Sequence, residues 1–185
     1  QESEEFGHCA AKIHAVRAVH LKLLREIFER LGAKALKGKL AGLTQALRQK
    51  GLKLGVKKAY AETFEQLRSV LDHAQASATE IHAMLAGTFR QLNAEFGFSL
   101  QVPPVLQLDQ FMLDLVRIER GHVQYLGVGN TLKLVQPEFA ERLARALSTR
   151  LRAVFESAAN DLELWSNSAS AQLDAQLRER KRSFS

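Results

Sequence analysis

Six histidines (His8, His14, His20, His73, His82 and His122) and one cysteine, Cys9, are the side chains best suited to hold a metal or attack an electrophile. No two of the histidines stand three or four residues apart, the spacing that would aim both rings from one helix face. A lone cysteine can form neither an intramolecular disulfide nor a zinc site built on several thiolates. Cys9 therefore reads as a small core residue. His20 and His122 fall on apolar stripes and read as buried neutral imidazoles satisfied by hydrogen bonds. Two glycine patterns test for nucleotide binding. Gly32-Ala-Lys-Ala-Leu-Lys-Gly38-Lys39-Leu40 has five residues between its glycines where a phosphate-binding loop has four, and Leu40 stands where that loop needs Ser or Thr for Mg²⁺. Gly127-Val-Gly129-Asn130 lacks the third glycine and the preceding strand of a dinucleotide fingerprint, and reads as a turn. The expectation is a chain with no catalytic residue, no metal ligand and no cofactor of its own.

The remaining chemical feature is charge. Nine Lys and Arg lie between Arg30 and Lys58, and no Asp or Glu falls between Glu29 and Glu62. Elsewhere acids outnumber bases, so the net charge of +6 comes from one local field. Projected as a helix, Leu36, Leu40, Leu43, Leu47 and Leu54 share a narrow face flanked by cations. One reading sinks these five leucines into a lipid interface and sets Lys34, Lys37, Lys39, Arg48, Lys50, Lys53, Lys57 and Lys58 against anionic headgroups, at about 1 kcal/mol per basic residue. A second makes the stretch a solvated connection whose leucines cap the end of a helical bundle. Phosphate-backbone binding to nucleic acid is the weakest of the three, because no aromatic occurs between Phe28 and Tyr60 to stack on bases. A smaller basic cluster, Arg178, Arg180, Lys181 and Arg182, reads as the solvated end of a helix, where the helix dipole favours cations.

The elements that must position these groups are helices. Phe6, Cys9, Ile13, Val16, His20, Leu23, Ile27 and Leu31 recur at steps of mostly three and four, ending at Gly32. Residues 32–58 contain five glycines, each costing a helix about 1 kcal/mol relative to Ala, so weak or interrupted helix is expected there. Tyr60, Phe64, Leu67, Leu71, Ala74, Ala78, Ile81, Leu85, Phe89, Leu92 and Phe96 form a coiled-coil-like seam, closed by Gly97 and Pro103-Pro104. A shorter helix is predicted from Asp109, read as its N-cap, to about Leu126. Another long one runs from Pro137 to about Arg182 through Phe139, Leu143, Leu147, Leu151, Phe155, Ala158, Leu162, Trp165, Ala169, Leu173 and Leu177. Trp165 is a seam residue whose indole N–H should find a partner. The fold class is all-α: an elongated antiparallel bundle of three to four helices, two of them far longer than the usual 11–12 residues or so.

At 185 residues, 46% apolar and 25% charged, the chain has enough material for one buried core and is not a disordered segment. It reads as a single module over residues 1–185, a piece of a longer protein, with 32–58 as the tip or connection between long helices. No apolar run approaches the roughly 18 residues that span a bilayer. Gln1-Glu-Ser-Glu-Glu5 is not a signal peptide. One cysteine suits a reducing, cytoplasmic setting.

In its last third the chain resembles a known family. Ile118-Glu-Arg-Gly-His122-Val-Gln-Tyr-Leu-Gly127, Gln136-Pro-Glu-Phe139, Arg150-Leu-Arg-Ala-Val-Phe155-Glu, Asp161-Leu-Glu-Leu-Trp165 and Ala171-Gln-Leu-Asp-Ala-Gln-Leu-Arg-Glu-Arg180 are similar to the helical region of proteobacterial dynamin-family large GTPases. The resemblance covers about Asp109 to Phe184. It implies a stalk or neck module that self-associates, transmits nucleotide state and serves membrane remodelling at a peripheral membrane location. GTP and Mg²⁺ are implied only for a GTPase domain of the parent chain, since none of the family's nucleotide motifs matches here. The partners expected are a second copy, that GTPase domain and an anionic membrane surface, with nucleic acid disfavoured. The alternative is a helical scaffold that binds protein partners and has no membrane role.

Overall fold

A computed structural model describes residues 1–51 and 53–183; Phe184, the last residue of the resemblance, lies outside them. The described residues form α1 (Glu2–Leu31), α2 (Ala33–Arg48), α3 (Val56–Phe96), α4 (Asp109–Val123), two 3₁₀ turns (Gln124–Leu126 and Val128–Asn130), α5 (Thr131–Val135) and α6 (Pro137–Ser183). None of them is in a strand, so the fold is all-helical as predicted. No helix among them is long and apolar enough to cross a membrane.

The long helices begin and end where their residues dictate. All eleven seam positions from Tyr60 to Phe96 are buried, which is why 41 residues hold one helix without a break. Gly97 stops α3 at φ +69°, a left-handed conformation that favours glycine, and its N–H donates to Asn93 O at 2.9 Å. Pro137 opens α6, where its missing N–H costs nothing, and Glu138 sits in the positive first turn. In α1 the buried series runs Cys9, Ile13, His20, Leu24, Ile27 and Leu31; Leu24 takes the core position assigned to Leu23, which is half-buried.

Two expectations need correction. Asp109 is the first helical residue of α4 and not its N-cap; Leu108 stands at the cap and offers no side-chain bond, so Asp109 acts through the helix dipole alone. The stretch after Gly32 is interrupted as expected, α2 ending at Arg48 and the next helix opening only at Val56. It is not weak throughout, however, because α2 runs unbroken from Ala33 to Arg48 through Gly38 and Gly42. The two glycines cost about 1 kcal/mol each. Burying Leu36, Leu40, Leu43 and Leu47 returns about 1.5–3 kcal/mol apiece, so packing decides.

The single module expected from the sequence is built of two compact units. Unit 1 comprises residues 1–28, 75–106 and 160–185; unit 2 comprises 29–74 and 107–159. In unit 1 the segment after α3 is pinned on both sides. Asn93 exchanges two hydrogen bonds with the backbone of Leu100, at 3.0 and 2.8 Å, and Gln172 of α6 exchanges two with the backbone of Gln101, at 2.9 and 2.6 Å. The Trp165 indole N–H donates to Pro104 O at 2.8 Å, the partner its burial requires. In unit 2, Phe64, Leu67, Phe111, Leu115, Leu147, Leu151 and Phe155 fill the centre with the four leucines of α2.

Candidate functional site

Unit 2 carries the basic stretch, and α2 sorts its residues by face. Leu36, Leu40, Leu43 and Leu47 are all buried. In this conformation they are core residues, and lipid could reach them only if α2 lifted off its unit. Leu54 alone of the five projects outward, at 87% exposure. The cations divide as well. Arg48 makes a two-pronged pair with Glu141 of α6, Nε and a terminal nitrogen each 3.0 Å from a carboxylate oxygen. The guanidinium holds the Glu141 carboxyl below its ordinary range, with help from Arg145 at 3.9 Å. Lys53 donates to Gln49 O, and Lys58 lies 3.8 Å from Glu62. Lys34, Lys37, Lys39, Lys50 and Lys57 are exposed and have no ion pair among the described residues.

Two adjoining grooves lie between α2 and α6. One of about 850 Å³ is bounded by Leu47, Lys50 and Lys53 on one side and by Val135, Ala140 and Arg142 on the other. A second, of about 750 Å³, runs past Lys37, Ala41 and Thr44 opposite Ala144, Ser148 and Arg152. Arg48, Glu141 and Arg145 border both. Reading the basic stretch alone misses the second wall. Arg142, Arg145 and Arg152 stand at helical steps of three and seven, a signal that projecting residues 137–152 as a helix would have revealed.

Several of the groups suited to other chemistry have structural partners. Two Glu-x-x-His pairs occur, Glu5–His8 and Glu119–His122. His8 instead meets Glu95 at 3.1 Å, beside Lys12, which also binds that carboxylate. Glu119 accepts from Arg68, its backbone carbonyl accepts from the Tyr60 hydroxyl, and the His122 Nδ1–H donates to Ile118 O at 2.8 Å. Burial pushes the Tyr60 hydroxyl and the Cys9 thiol above their ordinary ranges, so Cys9 stays a protonated core group. Among the described residues no cluster of three or more His, Cys, Asp or Glu is placed to hold a metal ion.

His20 of unit 1 is buried, as its stripe position predicts, but only one of its nitrogens is satisfied. Nε2 lies 3.1 Å from Ser166 Oγ, the ring sits 6.1 Å from that of Trp165, and Nδ1 has no partner among the described residues. Burial lowers the imidazole below its ordinary value of 6.5. The folded chain then binds fewer protons at this ring than the unfolded chain. Its contribution to stability is complete above about pH 6.5 and is lost as pH falls below it, down through the folded-state value. Urea midpoints at pH 7.5 and pH 5 are expected to differ more for the wild-type chain than for His20→Gln. An equal pH dependence in the two would remove His20 as the cause.

Comparison of the chain with family models, with curated proteins and with solved structures finds no match.

Proposed function

We propose that this chain is a non-catalytic helical interaction module. Its roles are those that the dynamin-family resemblance implies for a stalk: association with further copies and contact with anionic membrane surfaces. The observation that carries this reading is the segregation of the basic stretch. The leucines of α2 are turned into unit 2, while Lys34, Lys37 and Lys39 of α2, with Lys50 and Lys57 beyond it, are exposed and have no ion pair among the described residues. A surface built this way attracts a negatively charged sheet by charge and not by insertion. The membrane contact is therefore peripheral, salt-sensitive and worth about 1 kcal/mol per lysine near the headgroups. Support for an antiparallel bundle comes from unit 1, where Arg17 pairs with Asp174 and His20 with Ser166, so numbers rise along α1 as they fall along α6.

Co-sedimentation with vesicles of neutral phosphatidylcholine, alone or mixed with anionic phosphatidylserine, tests the membrane part. Binding is expected only to the anionic vesicles, falling steeply with added salt. Changing Lys34, Lys39 and Lys57 to Glu together should weaken it about a hundredfold, from about 1 kcal/mol per cation and 1.4 kcal/mol per decade. Leu54→Ala should change it little. A chain that ignores strongly anionic vesicles at low salt has no such role, and a scaffold serving protein partners alone would then be the better reading.

A further inference from the structure

The self-association in that reading needs a surface and an occupant, and the charge layout offers both. The α2–α6 groove of unit 2 has basic walls on each side, Lys37, Arg48 and Lys50 facing Arg142, Arg145 and Arg152. Against them stand only Glu138 and Glu141, and Glu141 is already paired with Arg48. The chain's opposite extreme lies further along α6. From Ala153 to Leu177 there is no Lys or Arg, while Glu156, Asp161, Glu163 and Asp174 fall within those residues.

Asp174 is taken by Arg17 inside unit 1, but Asp161 and Glu163 are exposed and have no ion pair among the described residues. Between them on the helix surface projects Leu164, 68% exposed. At 100° per residue Asp161 and Glu163 fall on opposite flanks of Leu164, and exposed Asn167, Ser168 and Ala171 continue the same face. This is an apolar knob with an acid on either side and short, uncharged residues alongside. The groove offers the converse: Val135, 38% exposed, is its accessible apolar side chain among basic ones, with the buried Leu47 and Ala140 also lining it.

We infer that the α2–α6 groove of unit 2 receives the Asp161–Leu164–Ser168 face of α6 from a second copy of this chain. The proposal rests on the self-association reading and names its contact. Helix-in-groove recognition places the apolar anchor on the floor, here Leu164, and leaves charge to set register. Because groove and knob are different surfaces, the contact is heterologous. Each copy keeps one of each unused, so association continues beyond a dimer unless the rotation closes a ring.

Sedimentation velocity over a concentration series at low salt tests it. The wild-type chain should form species larger than a dimer, dispersing as salt rises. Lys50→Glu with Arg145→Glu, or Asp161→Lys with Glu163→Lys, should each weaken association at least tenfold, and all four changes in one chain should restore it. Leu164→Ala, an exposed position with little bearing on folding, should weaken association by about ten- to a hundredfold from the apolar area lost. Far-UV circular dichroism identical to wild type confirms that each variant is folded. A wild-type chain that stays monomeric at high concentration and low salt overturns the self-association reading and this contact with it. A chain that associates but ignores these substitutions leaves that reading standing and removes the contact. Charge-reversed pairs that dissociate while the four-fold swap fails to reassociate also remove it.

Discussion

Replacing Trp165 by alanine is expected to destabilise unit 1 by about 3–5 kcal/mol, the range for deleting a buried large aromatic. The side chain is 8% exposed, so its removal leaves a cavity in α6 against the segment that follows α3. It also strips Pro104 O of its donor, which is 61 residues away in sequence. Trp165→Phe separates the two effects. It keeps most of the volume and loses the indole N–H, so it should cost about 1–3 kcal/mol, the penalty for leaving a buried acceptor unpaired. Asn93 and Gln172 still hold Leu100 and Gln101 in both variants, so the loss should be felt around Pro104 first. Urea denaturation followed by far-UV circular dichroism is the suitable measurement, because Trp165 is the only tryptophan and its fluorescence disappears with it. Two variants with equal and small effects would mean that the indole is not part of the packed interior.

Leu47→Ala is expected to cost unit 2 about 2–5 kcal/mol, with Leu54→Ala within about 0.5 kcal/mol of wild type. Leu47 is 1% exposed and Leu54 is 87% exposed, although the sequence places both on the same leucine face. The pair discriminates between the two readings of the basic stretch. A lipid-inserting Leu47 would be dispensable in solution and essential on vesicles. A core Leu47 is essential in solution, and its vesicle binding falls only as far as folding does. Thermal and urea midpoints of the two variants, measured beside their binding to anionic vesicles, decide the matter. A Leu47→Ala chain as stable as wild type would mean that α2 is not anchored by its leucines.

Much of the helical layout can be read from residues near each other in the chain. The seam from Tyr60 to Phe96, the stop at Gly97 and the start at Pro137 all follow from local spacing and backbone chemistry, and all appear at those positions. Glycine content over residues 32–58 predicted weak or interrupted helix, and the interruption falls between Arg48 and Val56. Within α2 local counting failed, since Gly38 and Gly42 do not break it. The energy that holds it comes from burying Leu36, Leu40, Leu43 and Leu47 against partners elsewhere in the chain. It failed at Leu23 too, where the drift of a 3.6-residue helix turned the neighbouring Leu24 inward.

The charge field between Arg30 and Lys58 was fixed by composition, and so was the lack of acids to neutralise it locally. Which of those cations remain available was decided by folding. Arg48 finds Glu141 93 residues away, while Lys34, Lys39 and Lys57 find no acid among the described residues. The second basic wall, from Arg142 to Arg152, likewise joins the first only in three dimensions. Periodicity states that one side of a helix is apolar, and cannot say whether protein, lipid or another copy lies against it. That depends on which distant residues the chain brings there.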